Sequence, residues 1–272
     1  MEARGDTPAG ETPVSGAATV TRNVAVGGND AGSDRLAQLS PGCGKPALSD
    51  DDARVELGGA AGSYLLDLPN GYDASHPYPL VLALRAADGS AAAFRASLNL
   101  ASAVGSSAII VHPECPNGRT IWDVPGDVDY LVALRAQLLE RHCVDPTRVF
   151  VLGYAQGGWL ASAAACSRSD LLRGIALFAG TEAMQPCSGA LATLVAQGTL
   201  DPVFSLRAGR RTRDFWAEVN GCDTASVSSA APGGCEDYAC MDAPTRYCEY
   251  EGGHELPGFA ASSAWSFFRA LR

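Results

Sequence analysis

Apolar runs of strand length recur along the chain at residues 63–68, 80–84, 108–111, 149–152, 174–178, 191–196 and 246–250. Between them lie helix-length segments, rich in Ala and Leu in the first half, at 91–104, 128–142, from Gly157 onward, at 204–219 and at 258–271. Short runs of apolar, often β-branched residues bounded by turn formers suit strands buried on both faces, and the longer segments suit helices. Strand alternating with helix predicts an α/β fold, a mostly parallel central sheet with helices on both faces. No internal repeat of fixed period is visible.

Residues 1–35 carry Gly, Ala, Thr and Pro with no apolar run, the composition of a disordered tail in which no export signal is visible. The globular part is expected as one domain over 36–272. No stretch approaches the ~18 uninterrupted apolar residues of a membrane span. The chain has 272 residues, 47% of them hydrophobic and 18% charged, enough to bury one large core. A net charge of -10 argues against a nucleic-acid partner, which needs a concentrated basic face. The one dense basic cluster, Arg207, Arg210, Arg211 and Arg213, has helical spacing and reads as a solvated helix face.

Nine cysteines are many for a reducing compartment, and four of them crowd into a loop-like insertion at 222–248, before the last strand. They predict disulfides, with at least one thiol left free or paired between chains because the count is odd. The close ligand pairs of a structural zinc site are not present in the spacing. No metal or other cofactor is expected.

Candidate chemistry centres on Gly153-Tyr-Ala-Gln-Gly157, which follows the run at 149–152 and opens a helix. A tight strand–turn–helix with glycines at its first and last positions is the setting of a G-x-S-x-G nucleophile elbow, but Ala155 stands in the serine's place. Chain order in such a fold puts an acid after a later strand and a histidine near the C-terminus. Asp201, beyond the 191–196 run, and His254, on a glycine-rich loop after the last strand, occupy those places.

With Gly42-Cys-Gly-Lys45, Tyr78-Pro-Leu-Val81, Cys143-Val-Asp-Pro-Thr-Arg-Val149, Gly198-Thr-Leu-Asp-Pro202, Gly253-His254 and Pro257-Gly258, the chain over about 42–271 resembles the secreted polyhydroxybutyrate depolymerase and feruloyl esterase family of α/β-hydrolases. The resemblance implies an α/β-hydrolase fold and hydrolysis of esters in hydroxyalkanoate polymers or feruloylated polysaccharide. With the cysteine content, it also implies an extracellular or periplasmic location. Ala155, Asp201 and His254 would be the triad positions, the nucleophile being degenerate. The backbone N–H groups of Gln156 and Ala86 would form the oxyanion hole.

Three departures from the family fall at this edge. Ala155 replaces Ser, Arg85-Ala86 replaces His-Gly in the loop after the third strand, and Gln197 replaces His ahead of Gly198-Thr199. A methyl group has neither lone pair nor proton, so no acyl-enzyme forms at Ala155. If the family glycine has positive φ, Ala86 is strained there. Ser90 and Ser162 are the nearest hydroxyls in sequence to the two loops, and neither stands at the elbow.

Three readings follow from these residues. One is a pseudo-esterase keeping its cleft for an ester, aromatic acid, hydroxyalkanoate or glycan ligand. Another is an active esterase with a non-standard nucleophile, or an inactivated variant of one. The third is a structural or adhesive domain that uses the cysteine-rich segment, which requires an exposed patch around Tyr238, Met241 and Tyr247.

Overall fold

The computed structural model describes residues 38–46, 54–57, 60–180, 186–230 and 234–271. The tail expected over 1–35 lies outside them. Among the described residues, ten strands form the sheet order β1-β2-β4-β3-β5-β6-β7-β10-β9-β8. In chain order they are β1 Arg54–Leu57, β2 Ala60–Asp67, β3 Tyr78–Leu84, β4 Ile109–Pro113, β5 Val144–Tyr154, β6 Gly174–Phe178, β7 Ala192–Gly198, β8 Cys222–Ala230, β9 Cys235–Cys240 and β10 Thr245–Tyr250. The six central strands, β4, β3, β5, β6, β7 and β10, run parallel. Antiparallel pairs close each side, β1 and β2 at one edge, β9 and β8 at the other.

Of the central strands, β3, β4, β6 and β7 are buried along their length because helices cover both faces. On β3, Leu80, Leu82 and Leu84 join the core beneath α3 (Val128–Arg141), α4 (Gln156–Ser167) and Trp216 of α5 (Leu206–Val219). Val81 and Ala83 point the other way, toward α1 (Ala91–Leu98), α2 (Leu100–Val104) and α6 (Ala260–Arg269). This is the period-2 alternation of a strand whose two faces are both dry. The fold is an α/β-hydrolase fold.

Three elements differ from the sequence expectation. The helix expected over 91–104 is two helices, because Asn99 takes left-handed dihedrals (φ 47°, ψ 42°) and caps α1. Asparagine tolerates that conformation better than other residues with a β-carbon. The strand expected at 149–152 begins at Val144, upstream of Pro146. The β3–β5 ladder slips register between Tyr78 and Leu80, which spares the proline from having to donate there.

The cysteine-rich insertion is not a loop but the hairpin β8–β9, which extends the sheet. Cys222 and Cys240 are paired residues of β8 and β9, Cys235 and Cys248 of β9 and β10, and each pair is a disulfide. Covalent cross-links between neighbouring strands substitute for apolar burial in an edge strand whose side chains are mostly exposed. Cys43–Cys143 and Cys166–Cys187 complete four disulfides, and Cys115 is the free, buried thiol. No described helix is long and apolar enough to cross a membrane.

The side of the sheet to which the chain adds strands switches between β3 and β5, since β3 leads to β4 on one side and β5 to β6 and β7 on the other. Crevices for ligands open at the carboxyl ends of strands at such a switch point. The loops after β3, β5, β7 and β10 meet this edge.

Candidate active site

Between β5 and α4, Ala155 adopts φ 51° and ψ −115°, a conformation that residues with a β-carbon rarely take. The turn persists because its neighbours leave no other path. A β-carbon on Gly153 would stand 2.2 Å from the Gly157 carbonyl oxygen, and one on Gly157 would stand 2.3 Å from that of Leu84. Both contacts are with backbone, so neither relaxes by a side-chain rotation. The elbow thus keeps its strained geometry with a methyl, 5% exposed as a residue, in place of a hydroxyl.

The structure brings Asp201 and His254 together. Nδ1 of His254 lies 2.9 Å from Oδ2 of Asp201. Oδ1 of Asp201 accepts the backbone N–H groups of Val203 (2.8 Å) and Phe204 (2.9 Å), and Oδ2 also accepts Gln197 Nε2 at 3.0 Å. Burial works to raise the Asp201 pKa, but the hydrogen bonds from His254, Phe204 and Val203 outweigh it, and the carboxyl sits below its ordinary range. Asp201 is therefore a fixed anion that orients the imidazole and directs its Nδ1 proton. Gln197, one of the three departures, has become part of this support and also donates to the Phe204 carbonyl at 2.7 Å.

The sequence reading missed the residues that hold the imidazole itself. The ring of Tyr154 stacks on that of His254 with centroids 5.5 Å apart, and the ring of Phe204 stands at 5.6 Å. The Tyr154 hydroxyl donates to the His254 carbonyl at 2.8 Å. Tyr154 precedes Ala155, so the elbow and the histidine loop are tied by one side chain. Its place inside the elbow motif was the available signal.

At the loop after β3, Arg85 is 2% exposed, and its guanidinium is fully engaged. Nε donates to Glu114 Oε2 (2.9 Å), Nη1 to the carbonyls of Ala86 and Thr120 (both 2.9 Å), and Nη2 to Cys115 Sγ (3.0 Å). Burial pushes the Cys115 thiol up to about 11 despite the nearby arginine, so it stays protonated at neutral pH. Positive φ in this loop belongs to Asp88 (φ 53°), not Ala86. The strain considered for Ala86 does not arise, because the Asp-Gly pair two residues on takes the turn.

Trp122 joins this loop to the elbow. Its indole N–H donates to the Arg85 carbonyl at 2.9 Å, while its own backbone N–H and carbonyl pair with Gln156 Oε1 (2.9 Å) and Nε2 (3.0 Å). The N–H groups of Ala86 and Gln156 donate to no protein group among the described residues.

Ser90 caps α1 by accepting the Ala93 N–H, and Ser162 is fully buried within α4. The patch that an adhesive role required is not formed, since Tyr238 and Tyr247 are buried and only Met241, 86% exposed, faces solvent. In the basic cluster on α5, Arg210 pairs with Glu249, and Arg213 lies over the Tyr247 ring at 5.1 Å.

No protein-family model matches the chain. It is 28% identical over 252 residues to a probable feruloyl esterase C of Aspergillus niger, covering 85% of this chain and 91% of that protein. It is likewise 28% identical over 251 residues to feruloyl esterase C of Emericella nidulans (85% and 91%), and 25% identical over 261 residues to feruloyl esterase D of Neurospora crassa (84% and 89%). Among solved structures, an acetyl xylan esterase from Aspergillus awamori superposes with a TM-score of 0.65 at 15% identity, over 76% of this chain and 94% of that one. A Bacillus cereus carboxylesterase superposes with 0.56 at 17%, over 78% and 95%. The structural likeness concerns the fold alone, an α/β-hydrolase fold. The sequence relatives narrow it further: the chain is of the carboxylic-ester hydrolase lineage that includes the feruloyl esterases.

Proposed function

We propose that this chain is an exported member of the esterase lineage, one domain over 36–272, that has lost ester hydrolysis and keeps its cleft for binding. One observation carries the reading: an alanine occupies the strained elbow (φ 51°, ψ −115°) while the Asp201–His254 pair beside it retains a 2.9 Å hydrogen bond. His254 would be the base, Asp201 its orienting acid, and the N–H groups of Gln156 and Ala86 the oxyanion donors. Without an oxygen at 155 the base has nothing to deprotonate but water, which forgoes the covalent route.

The relatives' names support a ligand from the chemistry of feruloyl or other carboxylic esters, and the family that the sequence motifs resemble adds hydroxyalkanoates as a further class. Four disulfides support an extracellular or periplasmic location. The test is turnover of p-nitrophenyl butyrate and methyl ferulate by the unaltered chain beside His254→Ala. Equal rates, both near the uncatalysed background, are expected. Hydrolysis by the unaltered chain that His254→Ala abolishes would overturn the reading.

A further inference from the structure

We infer that the cleft is a receptor for a free monocarboxylate rather than for an ester, an inference that rests on the reading of Ala155 as a lost nucleophile. A carboxylate has two oxygens, and the site offers a partner for each.

The first partner is the pair of N–H groups on Ala86 and Gln156, both left without a protein acceptor among the described residues. Trp122 holds both residues. Its indole grips the Arg85 carbonyl at 2.9 Å, and in a trans peptide the carbonyl and the following N–H point to opposite sides, so this grip also sets the direction of the Ala86 N–H. The next carbonyl, that of Ala86, is held by Arg85 Nη1 at 2.9 Å, so both peptides flanking Ala86 are pinned. Gln156 is pinned by its side chain, whose two amide atoms pair with the Trp122 backbone at 2.9 and 3.0 Å. Donors fixed before the ligand arrives lose little freedom on binding.

The second partner is the imidazole of His254. Its Nδ1 is taken by Asp201, which leaves Nε2 for a ligand. Around the ring stand Asp201, Tyr154 and Phe204, with Glu255 next along the chain. An acid and an imidazole share one proton, whichever of the two carries it, and the hydrogen bond between them is charge-assisted. The second oxygen of an ester bears carbon and brings no proton, so it accepts at most a weak contact there. In a serine esterase, the side-chain oxygen at the elbow stands between the imidazole and the reacting carbonyl. With Ala155 that oxygen is missing, and the acid's own second oxygen takes its place.

The test uses the intact, disulfide-bonded chain, with butyrate and ferulate as probes and their methyl esters as controls, measured by calorimetry near neutral pH. Each acid is expected to bind at least about tenfold tighter than its ester. In two-dimensional amide spectra, the Ala86 and Gln156 N–H signals should shift with the acid's binding curve. Ala155→Ser should weaken acid binding by about tenfold or more, because its hydroxyl reclaims the second oxygen's position. Equal or tighter binding of the esters, stationary Ala86 and Gln156 signals, or an Ala155→Ser variant with unchanged acid affinity would each overturn the inference. Absence of saturable binding by either acid would do so too. These failures differ from failure of the parent reading, which is decided by hydrolysis in the unaltered chain.

Discussion

Restoring one oxygen, Ala155→Ser, should return esterase activity, and the size of the return measures how much of the machinery survives. Removing the serine of a serine hydrolase costs about 10⁶ in turnover, equivalent to roughly 8 kcal/mol of transition-state stabilisation. The acid–base part needs no repair. Asp201 already accepts the Val203 and Phe204 N–H groups on one oxygen and Gln197 and His254 on the other, so the imidazole is oriented without rearrangement. The elbow also keeps the backbone that presents a side chain at its tip, with φ 51° at residue 155. The open quantity is the Ala86 donor, and one oxyanion donor is worth about 10²–10³ in turnover.

The expected rise in kcat/KM for p-nitrophenyl butyrate is therefore about 10⁶ with both donors aligned, and about 10³–10⁴ with only the Gln156 N–H in place. Asp201→Asn added to Ala155→Ser should remove about 10⁴ of that gain by releasing the imidazole tautomer. Stopped assays with matched far-UV spectra and unfolding midpoints exclude misfolding as the cause of a low rate. A folded Ala155→Ser variant that rises less than about tenfold would refute the claim that base, acid and oxyanion donors remain assembled.

Three further outcomes test the scaffold. Arg85→Met should destabilise the fold by about 3 kcal/mol in urea titrations, since it strands Glu114 and two carbonyls; adding Glu114→Met should recover part of the loss, and a single-variant loss below about 1 kcal/mol would contradict the structural role of Arg85. Replacing both Cys43 and Cys143 by Ser opens a loop of sequence separation 100 and should cost about 4–5 kcal/mol on the loop-entropy relation, read from the same titrations, with a change under about 1 kcal/mol as the contrary result. Because the folded Asp201 carboxyl is held below its ordinary pKa, the unfolded chain binds the extra proton first as acid is added. The stability Asp201 contributes is thus complete above its unfolded pKa of about 3.9 and fades as pH falls through the lower folded value. The gap in unfolding free energy between the unaltered chain and Asp201→Asn should accordingly be flat above about pH 5 and close below about pH 4, and a gap that widens with acid would reverse the sign.

The order of strands and helices was legible in the sequence because burial on both faces writes itself as continuous apolar runs, as at 80–84 and 174–178. The elbow was legible because crowding of backbone against backbone demands Gly153 and Gly157 whatever the side chain between them. That a methyl group at 155 cannot serve as a nucleophile needed only valence. Tertiary structure alone decided the rest. An arginine reads as a surface residue until Glu114, Cys115 and two carbonyls surround its guanidinium, and Arg85 is instead among the most buried charges of the molecule. The insertion at 222–248 has a loop's composition, yet its strands are held by cross-strand disulfides and by pairing with β10, partners set by register rather than by local preference. Trp122 lies more than thirty residues from both loops it joins, in a segment without periodicity. Local pattern records what each residue needs from solvent, but which distant group satisfies a buried donor is settled only when the chain closes on itself.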